Sequence, residues 1–210
     1  VKQNDRAARY FPGITPASYE TAIADALSEI EKNQVISRWS DSDGKDRYAA
    51  PPPALAMEQA VNRYRVTRPY ADLEDADVFA VIKSIGGGFG WFRYQLLWQI
   101  RGAYDKITGG CGLNRGRRDP ESLRIGDSVD FWRVSDIVEN RRLLLFSQMK
   151  MPGKGWLELI TRDKTLTVTA YFQPSGLLGR LYWYGLLPIH KLIFRDMARQ
   201  IIAAGRKRTC

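Results

Sequence analysis

Cysteine is nearly absent: Cys111 and Cys210 are the whole complement of a 210-residue chain. Two such residues, one of them C-terminal, make no disulfide framework, so the expected setting is reducing and cytoplasmic. Histidine is scarcer still, with His190 alone. A single histidine with no cysteine close by in sequence argues against a zinc site, and no metal is expected. A His-based triad would need a nucleophile that no motif supplies, so His190 reads as a structural or interfacial residue. Long uncharged runs are missing as well. The longest apolar region, Leu177 to Phe194, is broken by Arg180, His190 and Lys191, short of the roughly eighteen residues that a spanning helix needs. The chain opens on Val1 instead of Met, which reads as a piece of a longer protein.

Acidic residues thin out toward one end. Of a net charge of +9, residues 151–210 hold ten Lys and Arg against three Asp and Glu. That excess lies beside the most aromatic stretch, a pairing that suits an anionic membrane surface or an acidic partner. Nucleic acid is not an expected partner, because the aromatic residues sit inside apolar runs and not between lysines.

Phe11 to Asn33 reads as a proline-punctuated entry and a helix capped by Ser18, with Ile23, Ala26, Leu27 and Ile30 on one face. A Ser-, Asp- and Pro-rich linker follows, ending in Pro51-Pro52-Pro53. The expected division is therefore a helix and linker over 1–55 and a second domain over 56–210. "RYRVTRPY" alternates as a strand. The next segment predicts a helix with Asp72 at its N-cap and Gly86 at its C-cap.

"IGGGFG" then invites a phosphate-loop reading. The glycines lack the Gly-x-Gly-x-x-Gly spacing, no Gly-Lys-Ser/Thr follows, and no parallel βαβ repeat surrounds them. They read as a turn leading to a second helix, "WFRYQLLWQIRGAYDKI". Four period-two segments come after it, with turns expected at Asn140, Pro152-Gly153 and Asp163-Lys164. A long helix over Gly176–Ala204 closes the chain, with Pro188 expected to kink or divide it. Strand, two helices, an antiparallel meander and a closing helix make an α+β helix-grip layout. A curved sheet wraps the last helix, with room for a cavity between.

Three stretches carry a resemblance: "GLNRGRRDPESLRIGDSVDFWRV", "MKMPGKGWLEL" and "QPSGLLGRLYWYGLLPIHKLIFRDMARQI". Together, over roughly residues 60–205, they resemble the uncharacterised C-terminal domain found behind atypical short-chain-dehydrogenase-like NAD(P)-binding domains in bacteria. Residues 11–41 resemble the last helix of that preceding module. The resemblance implies that NAD(P) sits on an upstream domain outside this chain, which itself carries no cofactor. It also implies kinship with the helix-grip (START and Bet v 1-like) superfamily that binds lipids and other hydrophobic molecules. It transfers no catalytic residue.

The expected ligand is accordingly a hydrophobic or amphipathic small molecule, with Trp132, Met149, Trp156, Glu158, Tyr171 and Tyr182 as candidate cavity residues. Glu158 shares a strand face with Trp156 and Ile160, which makes it a buried anchor if that face looks inward and a surface acid if it looks out. Arg115, Arg117, Arg118 and Arg124 form a candidate anion or partner contact, offset by Asp119, Glu121 and Asp127. Tyr182, Trp183, Tyr184, Leu186, Leu187, Leu192 and Phe194 read as a core-packing ridge. Two other roles stay open: a part closing over an oxidoreductase or epimerase-like active site, and a peripheral membrane or protein-interaction module.

Overall fold

The computed structural model describes residues 10, 12–13, 17–31, 62–86, 119 and 122–209. The chain falls into two compact units, Val1–Ser37 and Arg38–Cys210. In the first, α1 (Tyr19–Glu31) starts as its sequence dictates. The Thr21 amide donates to Ser18 Oγ at 3.1 Å, satisfying one of the free donors of the first turn.

The second unit is an α+β domain. Its sheet is formed by β1 (Asn62–Pro69), β2 (Ser128–Val129), β3 (Trp132–Val138), β4 (Arg142–Ser147), β5 (Gly153–Arg162) and β6 (Thr165–Pro174), in the order β1-β6-β5-β4-β3-β2. Every pairing is antiparallel. One more strand is present than the period-two segments suggested. Asp130 takes a positive φ of 54° and splits "DSVDFWRV" into β2 and β3. The β5–β6 hairpin turns where expected. Asp163 and Lys164 both have positive φ, the two-residue turn whose twist matches its strands.

Between β1 and the meander lies α2 (Asp75–Lys83). Its N-cap is Glu74 and not Asp72, and the Glu74 amide donates to Asp77 Oδ2 at 3.3 Å. Asp72 is drawn away by Arg206, which reaches it through Nε at 2.6 Å and Nη2 at 3.0 Å. The helix ends at Ser84, two residues before the glycine expected to cap it. Gly86 serves the turn that follows: its φ is +76°, and a Cβ there would sit 2.5 Å from Val129 Cγ1. The rest of "GGGFG" and the second expected helix lie outside the described residues.

The closing helix α3 (Gly176–Thr209) runs past Pro188 without dividing. Its inward residues Ile193, Met197 and Ile201 join Leu157, Leu159 and Val168 of the sheet, and Val78 and Ile82 of α2, in one buried cluster. Each such side chain contributes about 2 kcal/mol on burial. No helix among the described residues is long and apolar enough to cross a membrane. The architecture is the expected helix-grip arrangement, with the long helix lying on one face of the sheet.

Gly179 decides how closely α3 can lie. A Cβ at this position would collide with the Pro152 carbonyl oxygen and meet Pro174 Cα at 2.9 Å, whereas nothing stands within 4 Å of one at Gly185. We expect Gly179→Ala to destabilise the domain by about 1–3 kcal/mol through overpacking. Gly185→Ala should instead stabilise it by about 0.5–1 kcal/mol through helix propensity. Urea midpoints of the two variants check the opposite signs.

Candidate functional site

A cavity of about 370 Å³ lies between the sheet and the first half of α3. Strands β3 to β6 and α3 build it. Trp132 comes from β3, Ser147 from the end of β4 with Met149 just beyond it, and Gly155 and Phe172 from the paired strands β5 and β6. From α3, Tyr182, Trp183, Leu186, Ile189, His190 and Ile193 recur at the spacing of one helix face. Gly155 leaves space where a side chain would stand: its nearest neighbours to an added Cβ are Met151 Sδ at 3.5 Å and Ser147 Cβ at 3.8 Å.

One wall is a run of rings. Phe172 meets Tyr182 at 5.7 Å and stacks on Trp183 at 5.6 Å with planes 5° apart. His190 stands 5.6 Å from both Trp183 and Phe194, and Phe194 lies 6.4 Å from Tyr64 of β1. Such contacts add about 0.5–1.5 kcal/mol each beyond the area they bury. They also leave the cavity wall with few polar atoms.

His190 places a buried polar atom in that wall. Burial alone pushes its imidazole down to about 4, because an apolar setting disfavours the charged ring. It is therefore neutral near pH 7. Its Nδ1 is buried with no hydrogen-bond partner among the described residues. An unmet buried polar atom costs about 1–3 kcal/mol. A ligand group that bonds to it would recover that cost. In either tautomer the ring has one hydrogen bond to offer there.

Residues 59–197 match the family described as "Protein of unknown function (DUF2867)". The chain belongs to that family. No curated protein matches the sequence. Two solved structures resemble the DUF2867 chain at low similarity. CalU16 from Micromonospora echinospora is 10% identical with a TM-score of 0.33, covering 69% of this chain and 86% of its own. CV1439 from Chromobacterium violaceum is 10% identical with a TM-score of 0.34, covering 67% and 98%. At such scores neither bears on what this chain does.

Five of the six candidate cavity residues of this DUF2867 domain border the cavity: Trp132, Met149, Trp156, Tyr171 and Tyr182. Trp156 and Tyr171 also pack with Leu144 and Phe146 in a second, separate cluster. Glu158 is not among the lining residues. It is buried, so it is no surface acid either. Its Oε1 accepts from Arg142 Nε at 2.8 Å and its Oε2 from the Tyr171 hydroxyl at 2.9 Å. Arg142 in turn reaches Asp136 Oδ2 at 3.0 Å. With both oxygens engaged, Glu158 holds strands β3 to β6 together. Burial first, then the Glu158 bond and charge, raise the Tyr171 phenol, against an opposing contribution from Arg65; the phenol stays protonated and donates.

Of the four candidate arginines, Arg115, Arg117 and Arg118 lie outside the described residues. Arg124 is exposed, and its backbone amide donates to Asp127 Oδ2 at 2.8 Å. Asp119 likewise takes the Ser122 amide at 2.7 Å. These two acids hold backbone turns, where the sequence suggests only charge offset. Among the described residues, no three of His, Cys, Asp and Glu gather as metal ligands would. His190, which the sequence suggests is structural or interfacial, is a lining residue outside the expected cavity set. Its signal was its place on the Trp183–Leu186–His190–Ile193 helix face.

The depressed imidazole makes stability depend on pH. Below about 6.5 the unfolded chain binds a proton that the folded one refuses until about 4. Stability present above pH 6.5 should thus fall as pH drops through that window, by at most about 3 kcal/mol. His190→Phe should flatten the decline between about pH 6.5 and pH 5, before the carboxylates titrate. Urea denaturation of both proteins across that range measures it.

Proposed function

We propose that this domain binds a hydrophobic or amphipathic small molecule in the cavity between the sheet and α3. The observation that carries the reading is the 370 Å³ apolar cavity with one buried, unpartnered imidazole nitrogen in its wall. Ligand sites have this form: mostly apolar lining, with few polar groups that fix orientation. Binding would remove apolar ligand surface from water, worth about 25 cal/mol per Å². Because His190 is neutral, it selects for an uncharged hydrogen-bonding head such as a hydroxyl or carbonyl, in preference to a carboxylate.

The wider setting belongs to the same proposal. The module would work beside an NAD(P)-binding domain, as the resemblance of residues 11–41 implies. The exposed Ile23 and Leu27 of α1 would offer that domain an apolar face. The chain alone is read as a binding part, with the chemistry, if the whole protein performs any, on the cofactor side.

Native mass spectrometry of the purified chain against its denatured mass tests the cavity directly. A molecule held in the folded protein and released on unfolding is expected. Gly155→Leu puts a side chain into the open space beside Met151 and Ser147. It should reduce uptake of an apolar fluorescent probe at least tenfold while the thermal unfolding transition persists. His190→Phe should weaken a hydroxyl-bearing ligand about tenfold, the worth of one hydrogen bond. Undiminished uptake by folded Gly155→Leu would remove the cavity from the account.

A further inference from the structure

The outer face of α3 carries a second feature, independent of the cavity. A surface helix normally pairs one apolar face with a polar one. The first half of α3 is apolar on both. Trp183, Ile193 and Phe194 point into the core. On the opposite side Leu177, Leu178, Leu181, Tyr184 and Leu192 are between 51% and 73% exposed. At 1.5 Å per residue, Leu177 to Leu192 makes a stripe of about 22 Å. The second half of the same helix shows the ordinary pattern, since Arg195, Arg199 and Arg206 occupy its exposed positions. The departure is thus local, and contiguous exposed apolar surface of this kind marks an interaction site.

The charges beside the stripe have one sign. From Gly176 to Arg195 the helix contains Arg180, Lys191 and Arg195 and no acidic residue; all three are exposed. Rotated at 100° per residue, Arg180 and Lys191 fall along one edge of the stripe, and Arg195 lies in line with the stripe beyond Leu192. At its start lies a groove bordered by Asn62, Gln173, Leu177, Arg180 and Tyr184. The Asn62 Nδ2 is buried there without a partner among the described residues. Guanidinium, amide and phenol donors beside leucines match a phosphate headgroup beside its acyl chains.

We propose that this face of α3 docks the domain onto an anionic phospholipid surface. The leucines enter the boundary between headgroups and acyl chains, and Arg180, Lys191 and Arg195 meet the lipid phosphates. The helix lies in the interface plane and does not span. Ile189 both lines the cavity and is exposed, so the docked face adjoins the cavity wall.

The test is co-sedimentation of the full chain with phosphatidylcholine vesicles, with and without phosphatidylglycerol. Binding is expected to need the anionic lipid and to weaken as salt rises. Arg180→Gln should lower affinity roughly fivefold, the share of one cation near an anionic surface. Leu181→Ser should lower it about tenfold or more through the lost apolar burial. Both side chains are exposed, so each variant should keep the unfolding transition and probe uptake of the parent, which separates this proposal from the cavity. Absence of binding at low salt, equal binding to neutral vesicles, or equal binding by Leu181→Ser would each overturn it. A self-associated chain that Leu181→Ser converts to monomer, without vesicle binding, would assign the stripe to a second copy instead.

Discussion

The aromatic seam between α3 and the sheet is what the rest of the larger unit depends on. Phe172 of β6 is gripped by Tyr182 and Trp183, and His190 and Phe194 extend the run to Tyr64 of β1. These rings are wide and stiff, so they hold the helix at a fixed distance over the middle of the sheet. Near its start, Gly179 brings it against Pro152 and Pro174. A helix pinned closely at one point and spaced by rings at the next cannot fill the volume between. The cavity follows from that geometry.

Two buried polar groups are handled differently. His190 in the cavity wall leaves an imidazole nitrogen unmet, and the ring can stay neutral at modest cost. Glu158 would be far costlier to bury alone, and Arg142 and Tyr171 engage both its oxygens. Breaking such a buried pair from one side leaves an uncompensated charge. The carboxylate is thus committed to structure, while the histidine is left available.

Much of the fold was legible in the sequence, because hydrophobic periodicity and turn chemistry are local. The hairpin at Asp163-Lys164, the Ser18 cap and the start of the last helix could all be read from neighbours in the chain. The misreadings came from distant partners. Asp72 looked like an N-cap until Arg206, over a hundred residues later, took its carboxylate. Pro188 reads as a kink or a divider, and α3 continues through it undivided. The aromatic ridge looked like core throughout, but Tyr184 and Leu192 face outward while Trp183 and Phe194 face in, a split that clustering in sequence conceals.

By itself, the sequence determined the α+β class, the antiparallel meander and the closing helix, since period two and period 3.6 are written in consecutive residues. It also brought five lining residues to notice through their aromatic or apolar character. Tertiary structure alone decided which strand face met the helix. Alternation assigns residues to two faces without naming the inner one. That choice placed Glu158 in an ion pair and off the cavity lining. The choice of helix face, equally tertiary, put His190 in the cavity wall and left the leucines of α3 facing solvent.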